Sequence, residues 1–271
     1  MTRFLHITDL HVSAPETDDP ERHGDTEAVL RRLVEIANRL HPAPDLVIAS
    51  GDLTNVGDEA SYRHVQRILE GLDMPVVLTL GNHDRRGPFH AVFEGYATAP
   101  DGPVDHEAVH AGLHVIALDT SVPGKVGGAL DEAQFAVLER ALGRHLDLPK
   151  ILVLHHPPKT IPGSGGLPWA TLSAEDSARL QALIADRQVL CILSGHVHYN
   201  RMSLWHGVPV VITSGHQSTV DLTRTDALSV VEGSSFAICD LQEAGLQVTF
   251  VPLEEPRPIK EIPMERLRAF S

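Results

Sequence analysis

Five short polar motifs each follow directly after a predicted β-strand, and this repeated placement constrains the fold more than any other feature of the chain. The motifs are Asp9-x-His11, Gly51-Asp52, Gly81-Asn82-His83-Asp84, His155-His156 and Gly195-His196-x-His198. In open α/β sheets, the loops that leave the carboxyl ends of the strands converge on one crevice. The five motifs are therefore predicted to meet in space, although they are spread over about 190 residues.

Short apolar strand patterns alternate with amphipathic helix patterns through the first two-thirds of the chain. Helices are predicted at Thr26–Leu40, Asp58–Leu72, Asp131–Arg144 and Ser173–Asp186. Strands are predicted beside them at Phe4–Thr8, Asp45–Ser50, Pro75–Leu80, Leu113–Leu118, Ile151–Leu154 and Val189–Leu193. After His198 only strands are predicted, at Met202–Trp205, Val208–Thr213, Ser235–Leu241 and Leu246–Val251.

This order of elements predicts an α/β fold in four layers, α-β-β-α, in which two mixed sheets pack together and helices flank them. Because no linker divides the chain, residues 1–251 are predicted to form one domain. Residues 252–271 are predicted to form an extended tail on the surface, since Pro252–Pro263 contains four prolines and many charges.

The side chains in the five motifs are carboxylates, imidazoles and a carboxamide, a donor set without thiolate that suits divalent transition ions. Asp9 and His11 are two positions apart, so an extended backbone would point both side chains the same way. Gly51 permits a tight turn before Asp52, whose two carboxylate oxygens could bridge two ions. Most of these motifs, taken alone, are commoner as turns or strand ends than as sites. Their joint occurrence in this order indicates a metal centre.

The complete set resembles the pattern of the calcineurin-like metallophosphoesterases, which is D-x-H, G-D, G-N-H-[DE], H and G-H-x-H. Every element of that pattern is matched between Asp9 and His198. Within the family, the chain is most similar to class III cyclic nucleotide phosphodiesterases and the related bacterial glycerophosphodiesterases. That narrower similarity rests on Asn82-His83-Asp84-Arg85, His155-His156-Pro157-Pro158 and Ser214-Gly215-His216-Gln217.

The resemblance implies two divalent metal ions, which could be manganese, iron, zinc or cobalt, and assigns seven side chains to them. One ion would take Asp9, His11, Asp52 and His198, and the other would take Asp52, Asn82, His155 and His196. Asp52 would bridge the ions and, with His83, carry the catalysis. His83 would protonate the leaving oxygen or stabilise the transition state. The substrate would contact His83, Asn82 and His216.

Four further residues have expected roles. His156 and Asp84 are expected to orient the metal ligands. Trp169 could cover the active site, or could pack on its own domain. His6, in the first strand, is expected to be a core histidine rather than a ligand.

The implied activity is hydrolysis of a small phosphodiester, of the cyclic nucleotide or glycerophosphodiester type, by a metal-bound hydroxide. The alternatives are a phosphomonoesterase of the same superfamily and a non-catalytic scaffold with the same fold. A net charge of −14 disfavours long nucleic acid, because such a surface repels polyanions. The resemblance also favours a homo-oligomer, a dimer or larger.

Three features of the sequence favour a cytoplasmic protein without a membrane partner. The cysteines are Cys191 and Cys239, and both lie in apolar strand-like runs, which predicts buried thiols rather than a disulfide framework. The first strand begins at Arg3 or Phe4 and leaves no room for a cleavable signal. No apolar run approaches the length of about 18 residues that a membrane span requires.

Overall fold

The computed structural model describes residues 1–96, 101–159, 170–224, 226–255 and 262–263. The helices in these ranges are Thr26–Arg39 (α1), Glu59–Leu69 (α2), Arg86–Val92 (α3), Glu132–Leu142 (α4) and Ala174–Ile184 (α5). The strands are Thr2–Ile7 (β1), Leu46–Ser50 (β2), Val76–Thr79 (β3), His106–His110 (β4), Leu113–Leu118 (β5), Lys150–Leu154 (β6), Val189–Ser194 (β7), Arg201–Trp205 (β8), Val208–Ile212 (β9), Thr219–Val220 (β10), Val230–Val231 (β11), Ser235–Gln242 (β12) and Gly245–Pro252 (β13).

Two large mixed sheets carry the fold, as the sequence predicts. The first sheet has the order β13-β12-β1-β2-β3, and the second has the order β4-β5-β6-β7-β9-β8. Within the first sheet, β1, β2 and β3 are parallel to one another, and within the second, β5, β6, β7 and β9 are parallel. The short strands β10 and β11 form a separate antiparallel pair.

Three clusters of buried apolar side chains divide the molecule into four layers. The middle cluster joins the two sheets and includes Phe4 and Ile48 from the first and Val153 and Leu193 from the second. The second cluster packs the other face of the first sheet against α1, α2 and α3. The third packs the other face of the second sheet against α4 and α5. The predicted α-β-β-α sandwich is therefore confirmed.

Side-chain caps begin the helices near the predicted positions. Asp58 accepts a hydrogen bond from the Ser61 backbone N–H at the start of α2, and Asp131 and Gln134 form a reciprocal capping box at the start of α4. Helix α1 buries Leu30, Leu33 and Ala37 most deeply, and Val29 and Ile36 lie beside them. These two residues lie at the edge of the same apolar stripe and are only partly buried.

The sequence pattern missed the elements that lack a strong apolar period. Helix α3 contains Gly87-Pro88 in its first turn, where proline is tolerated because the backbone N–H groups there have no intrahelical partner. Strand β4 is an edge strand with the half-exposed sequence HEAVH. Strands β10 and β11 have only two residues each.

The ordered fold extends slightly beyond the predicted domain end. Strand β13 includes Pro252, and Leu253 is buried in the core next to α1 and α2. The Leu253 backbone N–H donates a hydrogen bond to the Ser234 carbonyl oxygen over 2.9 Å. Most of the predicted tail, residues 256–261 and 264–271, lies outside the described residues, as does Trp169.

Cys191 and Cys239 are buried free thiols, as predicted, and burial raises the pKa of Cys191 to about 12. Among the helices of the described ranges, none has the length and hydropathy that a bilayer-spanning segment needs.

Candidate metal centre

The predicted ligands lie together where the carboxyl ends of the parallel strands of both sheets meet. The first sheet supplies Asp9 and His11 after β1, Asp52 after β2 and Asn82 after β3. The second sheet supplies His155 directly after β6, and His196 and His198 after β7. Five of the seven residues are buried, with Asp9 and His155 at 0% exposure, and Asn82 and His198 are partly exposed. The site therefore forms across the junction of the two sheets.

Left-handed backbone conformations aim most of these side chains inward. Positive φ angles occur at Asp9 (49°), His11 (45°), Asp52 (49°), His196 (74°) and His198 (53°). Such a conformation costs on the order of 1–3 kcal/mol for a residue other than glycine. The extended backbone expected for Asp9-x-His11 is thus wrong: the two side chains converge through two left-handed bends. Cross-loop hydrogen bonds hold these bends, from Asp9 N–H to Gly51 O (3.0 Å) and from His11 N–H to Asp52 O (2.9 Å).

Two glycines let the loops of the two sheets approach closely. A Cβ atom at Gly51, where φ is 103°, would lie 2.6 Å from Nδ1 of His155 on the other sheet. A Cβ atom at Gly195 would overlap Thr8 Oγ1 and a carboxylate oxygen of Asp9, again across the sheets. At Gly51 and Gly195, glycine is therefore required by the close contact between the two sheets as well as by the local turn.

The ligand atoms form two groups with similar spacings. In the first group, His198 Nε2 is 3.2 Å from Asp9 Oδ1 and 3.3 Å from His11 Nε2. In the second group, His155 Nε2 is 3.2 Å from Asp52 Oδ2, and His196 Nδ1 is 2.9 Å from Asn82 Oδ1. Two ligands of one ion with bonds of about 2.1 Å lie roughly 3 Å apart. The donor set therefore fits divalent ions in spacing as well as in chemistry.

His155 shows most clearly that the cluster suits a cation. Its Nδ1 lies 2.9 Å from the Ser50 carbonyl oxygen, which can only accept, so Nδ1 carries the proton. Its Nε2 is buried and has no hydrogen-bond partner among the described residues. In the neutral ring the Nε2 lone pair would face the carboxylate of Asp52, which is unfavourable unless a proton or a metal ion lies between them.

The electrostatics of this pair lead to the same conclusion. Burial alone would raise the pKa of Asp52 and lower the pKa of His155. Their opposite charges outweigh burial, so the pKa of Asp52 falls below its usual range and that of His155 rises to about 9. A bound metal ion would take the place of the proton on His155.

His83 lies beside the predicted ligands, and one of its ring nitrogens lies within 4.8 Å of ligand atoms of His11 and Asp52. Its backbone N–H donates to Asp52 Oδ1 over 2.8 Å, and its Nδ1 is 2.9 Å from the Asn55 carbonyl oxygen. Nδ1 therefore carries a proton and donates, which leaves Nε2 for exchange with a bound molecule. The ring stands edge-on against His11 at 4.7 Å and is half-buried. This placement suits a proton donor next to the reacting group.

Asp84 joins the loops that carry Asp52 and Asn82. Its carboxylate accepts hydrogen bonds from the backbone N–H groups of Gly81 (2.9 Å) and Leu53 (3.0 Å) and from the Tyr62 hydroxyl (2.9 Å). Burial and the nearby charge of Asp52 raise the pKa of Asp84 to about 6. Asp84 therefore fixes the relative positions of two ligand loops, which supports the orienting role expected for it.

His156 uses both of its ring nitrogens within the protein. Nε2 is 3.0 Å from the Val126 carbonyl oxygen, to which it donates, and Nδ1 is 2.8 Å from Thr120 Oγ1. Its ring packs 4.6 Å from that of His196 and 4.9 Å from that of His155. His156 thus supports the ligands by packing against their rings.

His216, which the family resemblance predicts to contact substrate, lies buried beside Asp9. Its side chain is buried, with 2% of the residue exposed, and its backbone N–H donates to the Asp9 carbonyl oxygen over 3.1 Å. Burial lowers the pKa of His216 to about 3, so the ring is neutral at physiological pH. Its neighbours Gln217 and Ser218 line the cavity over the ligands instead. Neither ring nitrogen of His216 has a hydrogen-bond partner among the described residues, and its contact with substrate stays a prediction.

Sequence reasoning also missed Asn55 and Asp19. Asn55 Oδ1 is 2.9 Å from Nδ1 of His11, and the Asn55 amide donates to both carboxylate oxygens of Asp19. Asn55 follows Asp52 by three positions, in the loop after β2. Its polar side chain beside a ligand motif was the signal that could have identified it.

Two cavities open on either side of Asn82 and His83. One, of about 250 Å³, lies over the ligands and is also lined by Asp52, His196 and His198. The other, of about 590 Å³, is also lined by Asn55, Arg85, Arg86 and Ser121–Gly124. Asn82 and His83 therefore stand at the junction of two spaces that a bound molecule could fill.

Similar proteins agree with this geometry. The chain is 33% identical over 226 residues to a cAMP/cGMP dual specificity phosphodiesterase of Mycobacterium tuberculosis, which covers 81% of the chain and 69% of that protein. It is 32% identical over 195 residues, 70% of each protein, to the "probable glycerophosphodiester phosphodiesterase" of Arcobacter nitrofigilis.

Among solved structures, purple acid phosphatase PPD1 of yellow lupin shares the fold. The TM-score is 0.68 at 14% identity, over 93% of this chain and 51% of that longer one. Residues 2–200 match the family described as calcineurin-like phosphoesterase, and this range includes all five polar motifs. The chain belongs to the calcineurin-like phosphoesterase family.

Proposed function

We propose that this protein hydrolyses small phosphodiesters at a pair of divalent metal ions. The observation that carries the proposal is the position of Asn82 and His83 between two cavities, of about 250 and 590 Å³. A phosphodiester has two alcohol groups on one phosphorus, so it needs space on both sides of the reacting atom. A phosphomonoester needs only one such space.

One ion would be held by Asp9, His11, Asp52 and His198, and the other by Asp52, Asn82, His155 and His196. The contacts within each set, from 2.9 to 3.8 Å, support this division. Asp52 Oδ2 lies 3.6 Å from His11 Nε2 and 3.2 Å from His155 Nε2, so it faces both sets. The second set has the only neutral oxygen donor, Asn82, and should bind its ion more weakly. Manganese, iron, zinc and cobalt all suit these donors.

Two bound ions would supply hydroxide at neutral pH and neutralise charge on the phosphoryl oxygens. The chain itself holds the reacting groups. The phosphoryl group would lie beside Asn82, and the leaving oxygen would lie beside His83. A proton from His83 Nε2 would pass to that oxygen while the Asn55 carbonyl keeps the ring oriented through Nδ1. The leaving alcohol would occupy the larger cavity, because that cavity contains His83 but lacks most of the metal ligands.

The similar proteins suggest the substrate class. Cyclic nucleotides and glycerophosphodiesters are the compounds named for the relatives, and both are small diesters. The charge of −14 favours such compounds over long nucleic acid, since the acidic surface repels a polyanion. A homo-oligomer and a cytoplasmic location remain predictions from the sequence.

The test compares hydrolysis of bis(p-nitrophenyl) phosphate with that of p-nitrophenyl phosphate, using metal-stripped protein with and without added Mn²⁺. We expect manganese-dependent turnover of the diester to exceed that of the monoester. Preference for the monoester would assign the chain to the phosphomonoesterases. Absence of turnover with either compound would favour a non-catalytic scaffold. A panel of cyclic nucleotides and glycerol diesters would then identify the alcohol groups.

A further inference from the structure

Asn55 has every polar group of its side chain committed to the metal centre or to its support. Its Oδ1 is 2.9 Å from His11 Nδ1, and its Nδ2 donates to Asp19 Oδ1 (2.8 Å) and Oδ2 (2.9 Å). Its backbone carbonyl oxygen is 2.9 Å from His83 Nδ1. The residue is 7% exposed. A single asparagine therefore contacts a metal ligand through its side chain and the proposed acid through its backbone.

The hydrogen-bond chemistry of these contacts has one consistent arrangement. The carboxylate of Asp19 can only accept, so the NH₂ of Asn55 must face Asp19 and Oδ1 must face His11. His11 then donates through Nδ1, and its Nε2 lone pair would be available to an ion held together with His198 and Asp9. The opposite orientation of the amide would place NH₂ against the Nδ1–H of His11 and weaken the ligand.

Asp19 belongs to the loop between β1 and α1, and other groups hold it in place. Its carboxylate accepts hydrogen bonds from the Ser13 hydroxyl and from the Glu21 backbone N–H, the latter over 3.1 Å. The orientation of His11 thus depends on a chain of contacts that begins in a loop outside the five motifs.

We propose that Asn55 is a positioning residue that aligns His11 for metal binding and His83 for proton transfer, and that Asp19 sets the orientation of its amide. The role of His83 rests on the proposed function, whereas the alignment of His11 rests on metal binding alone. Groups that orient histidine ligands in this way typically change metal affinity or activity by about 10- to 100-fold when removed.

The experiment measures Mn²⁺ binding to metal-free protein by calorimetry, and kcat and KM for bis(p-nitrophenyl) phosphate. Asn55→Ala should weaken one of the bound ions about 10- to 100-fold and lower kcat by a similar factor. Asp19→Ala should also weaken Mn²⁺ binding and lower kcat, but by smaller factors. In this variant Asn55 keeps its side chain but loses its fixed orientation. Asn38→Ala is the matched control, since Asn38 also bonds through both amide atoms, to Gly71 O and Asp73 N–H, at the far end of α1.

A charge-swapped pair separates positioning from a general packing role. Asn55→Asp places two carboxylates against each other and should weaken metal binding. The double variant Asp19→Asn with Asn55→Asp restores a donor at 19 and an acceptor at 55. It should recover most of the Mn²⁺ affinity that Asn55→Asp loses.

Three results would overturn the inference: unchanged ion affinities in folded Asn55→Ala, no recovery in the double variant, or equal losses in Asn38→Ala. If Asn55→Ala fails to fold, Asp19→Ala and the swap decide the question. If the parent binds manganese but cleaves neither nitrophenyl ester, the proposed function fails while the His11 arm of the test still stands.

Discussion

Two buried carboxylates, Asp52 and Asp119, occupy equivalent positions in the two sheets and have opposite surroundings. Asp52 follows β2 of the first sheet, and Asp119 follows β5 of the second directly. Asp119 accepts four hydrogen bonds, from Arg86 Nε (2.8 Å), Val104 N–H (3.2 Å) and the hydroxyl and backbone N–H of Ser121. Asp52 accepts one, from the His83 backbone N–H, and its other oxygen faces two imidazole nitrogens.

The difference shows how a structural carboxylate and a functional one arise from the same strand-end position. At Asp119 the protein supplies a partner for each lone pair, so nothing further can bind. At Asp52 the facing imidazole nitrogens carry lone pairs in the neutral rings, and the arrangement is complete only with a proton or a metal ion between them. Buried polar groups that lack a partner cost stability, so their concentration in one place indicates function.

The largest expected effect comes from Asp52→Asn, which keeps the size of the side chain and removes the charge that faces both ligand sets. We expect kcat to fall roughly 10³-fold or more, since the ions contribute several kcal/mol to the transition state. Bound manganese, measured by elemental analysis after gel filtration, should fall below that of the parent. Two tightly bound ions together with near-parental kcat would remove Asp52 from the bridging position.

His83→Ala tests whether His83, which lies beside the predicted metal ligands, takes part in the reaction without binding metal. Loss of a general acid should lower kcat about 10²- to 10⁴-fold while both ions stay bound. His110→Ala is the matched control, because His110 ends β4 at the opposite end of the second sheet and should change neither quantity. A loss of manganese in His83→Ala would show that the histidine supports the ligands instead.

The sequence was sufficient for the parts of the site that depend on motif and strand order. The strand-end positions of Asp9, Asp52 and His155 followed from alternating apolar runs, because parallel strands end at a common edge. The left-handed bends at Asp9 and His11 could not be predicted, since they depend on hydrogen bonds to a neighbouring loop 40 residues away. The burial of His216 likewise depends on packing that a motif does not encode.

Asn55 and Asp119 were missed for related physical reasons. Asn55 acts through contacts with His11 and Asp19, and the latter lies in an irregular loop without a readable period. Asp119 is paired with Arg86 of α3. The sequence pattern does not predict this helix, because Gly87-Pro88 lies in its first turn. Side-chain partners that are distant in sequence decide whether a buried polar residue has all its hydrogen bonds satisfied within the protein or can bind a ligand. One sequence does not reveal these partners.

Asp119→Ala should have the opposite pattern to Asp52→Asn. It leaves the largely buried Arg86 guanidinium without its carboxylate. The free energy of unfolding should fall by about 3 kcal/mol, the lower end expected for breaking a buried ion pair. Urea unfolding measures this change, and manganese affinity should match that of the parent. Arg86→Met combined with Asp119→Ala should lose less than Asp119→Ala alone, because no unpaired charge remains. A lower manganese affinity in either variant would mean that the contacts of Asp119 affect the metal centre around Asp52.

The smallest effect concerns Asp105, which lies beside Asp119. Its carboxylate accepts hydrogen bonds from Asp119 N–H and Gln134 Nε2, both over 2.9 Å. Burial raises the pKa of Asp105 to about 6, above the value of about 3.9 for an exposed aspartate. The folded state therefore binds a proton more tightly than the unfolded state does. The stability from this proton is present in acid and is lost as pH rises through about 6.

Asp105→Asn keeps the accepting oxygen and removes the titration. Between pH 7.5 and pH 5, the free energy of unfolding of the parent should gain about 1 kcal/mol relative to the variant. Urea unfolding at the two pH values measures this gain, with metal removed so that the ligands contribute equally in both proteins. A difference that stays constant with pH would show that Asp105 is ionised in the folded state throughout. The surroundings of Asp119 would then include the uncompensated charge of Asp105. The difference between Asp119, with all its partners supplied by the protein, and Asp52 at the metal centre would be smaller than the hydrogen bonds of Asp119 indicate.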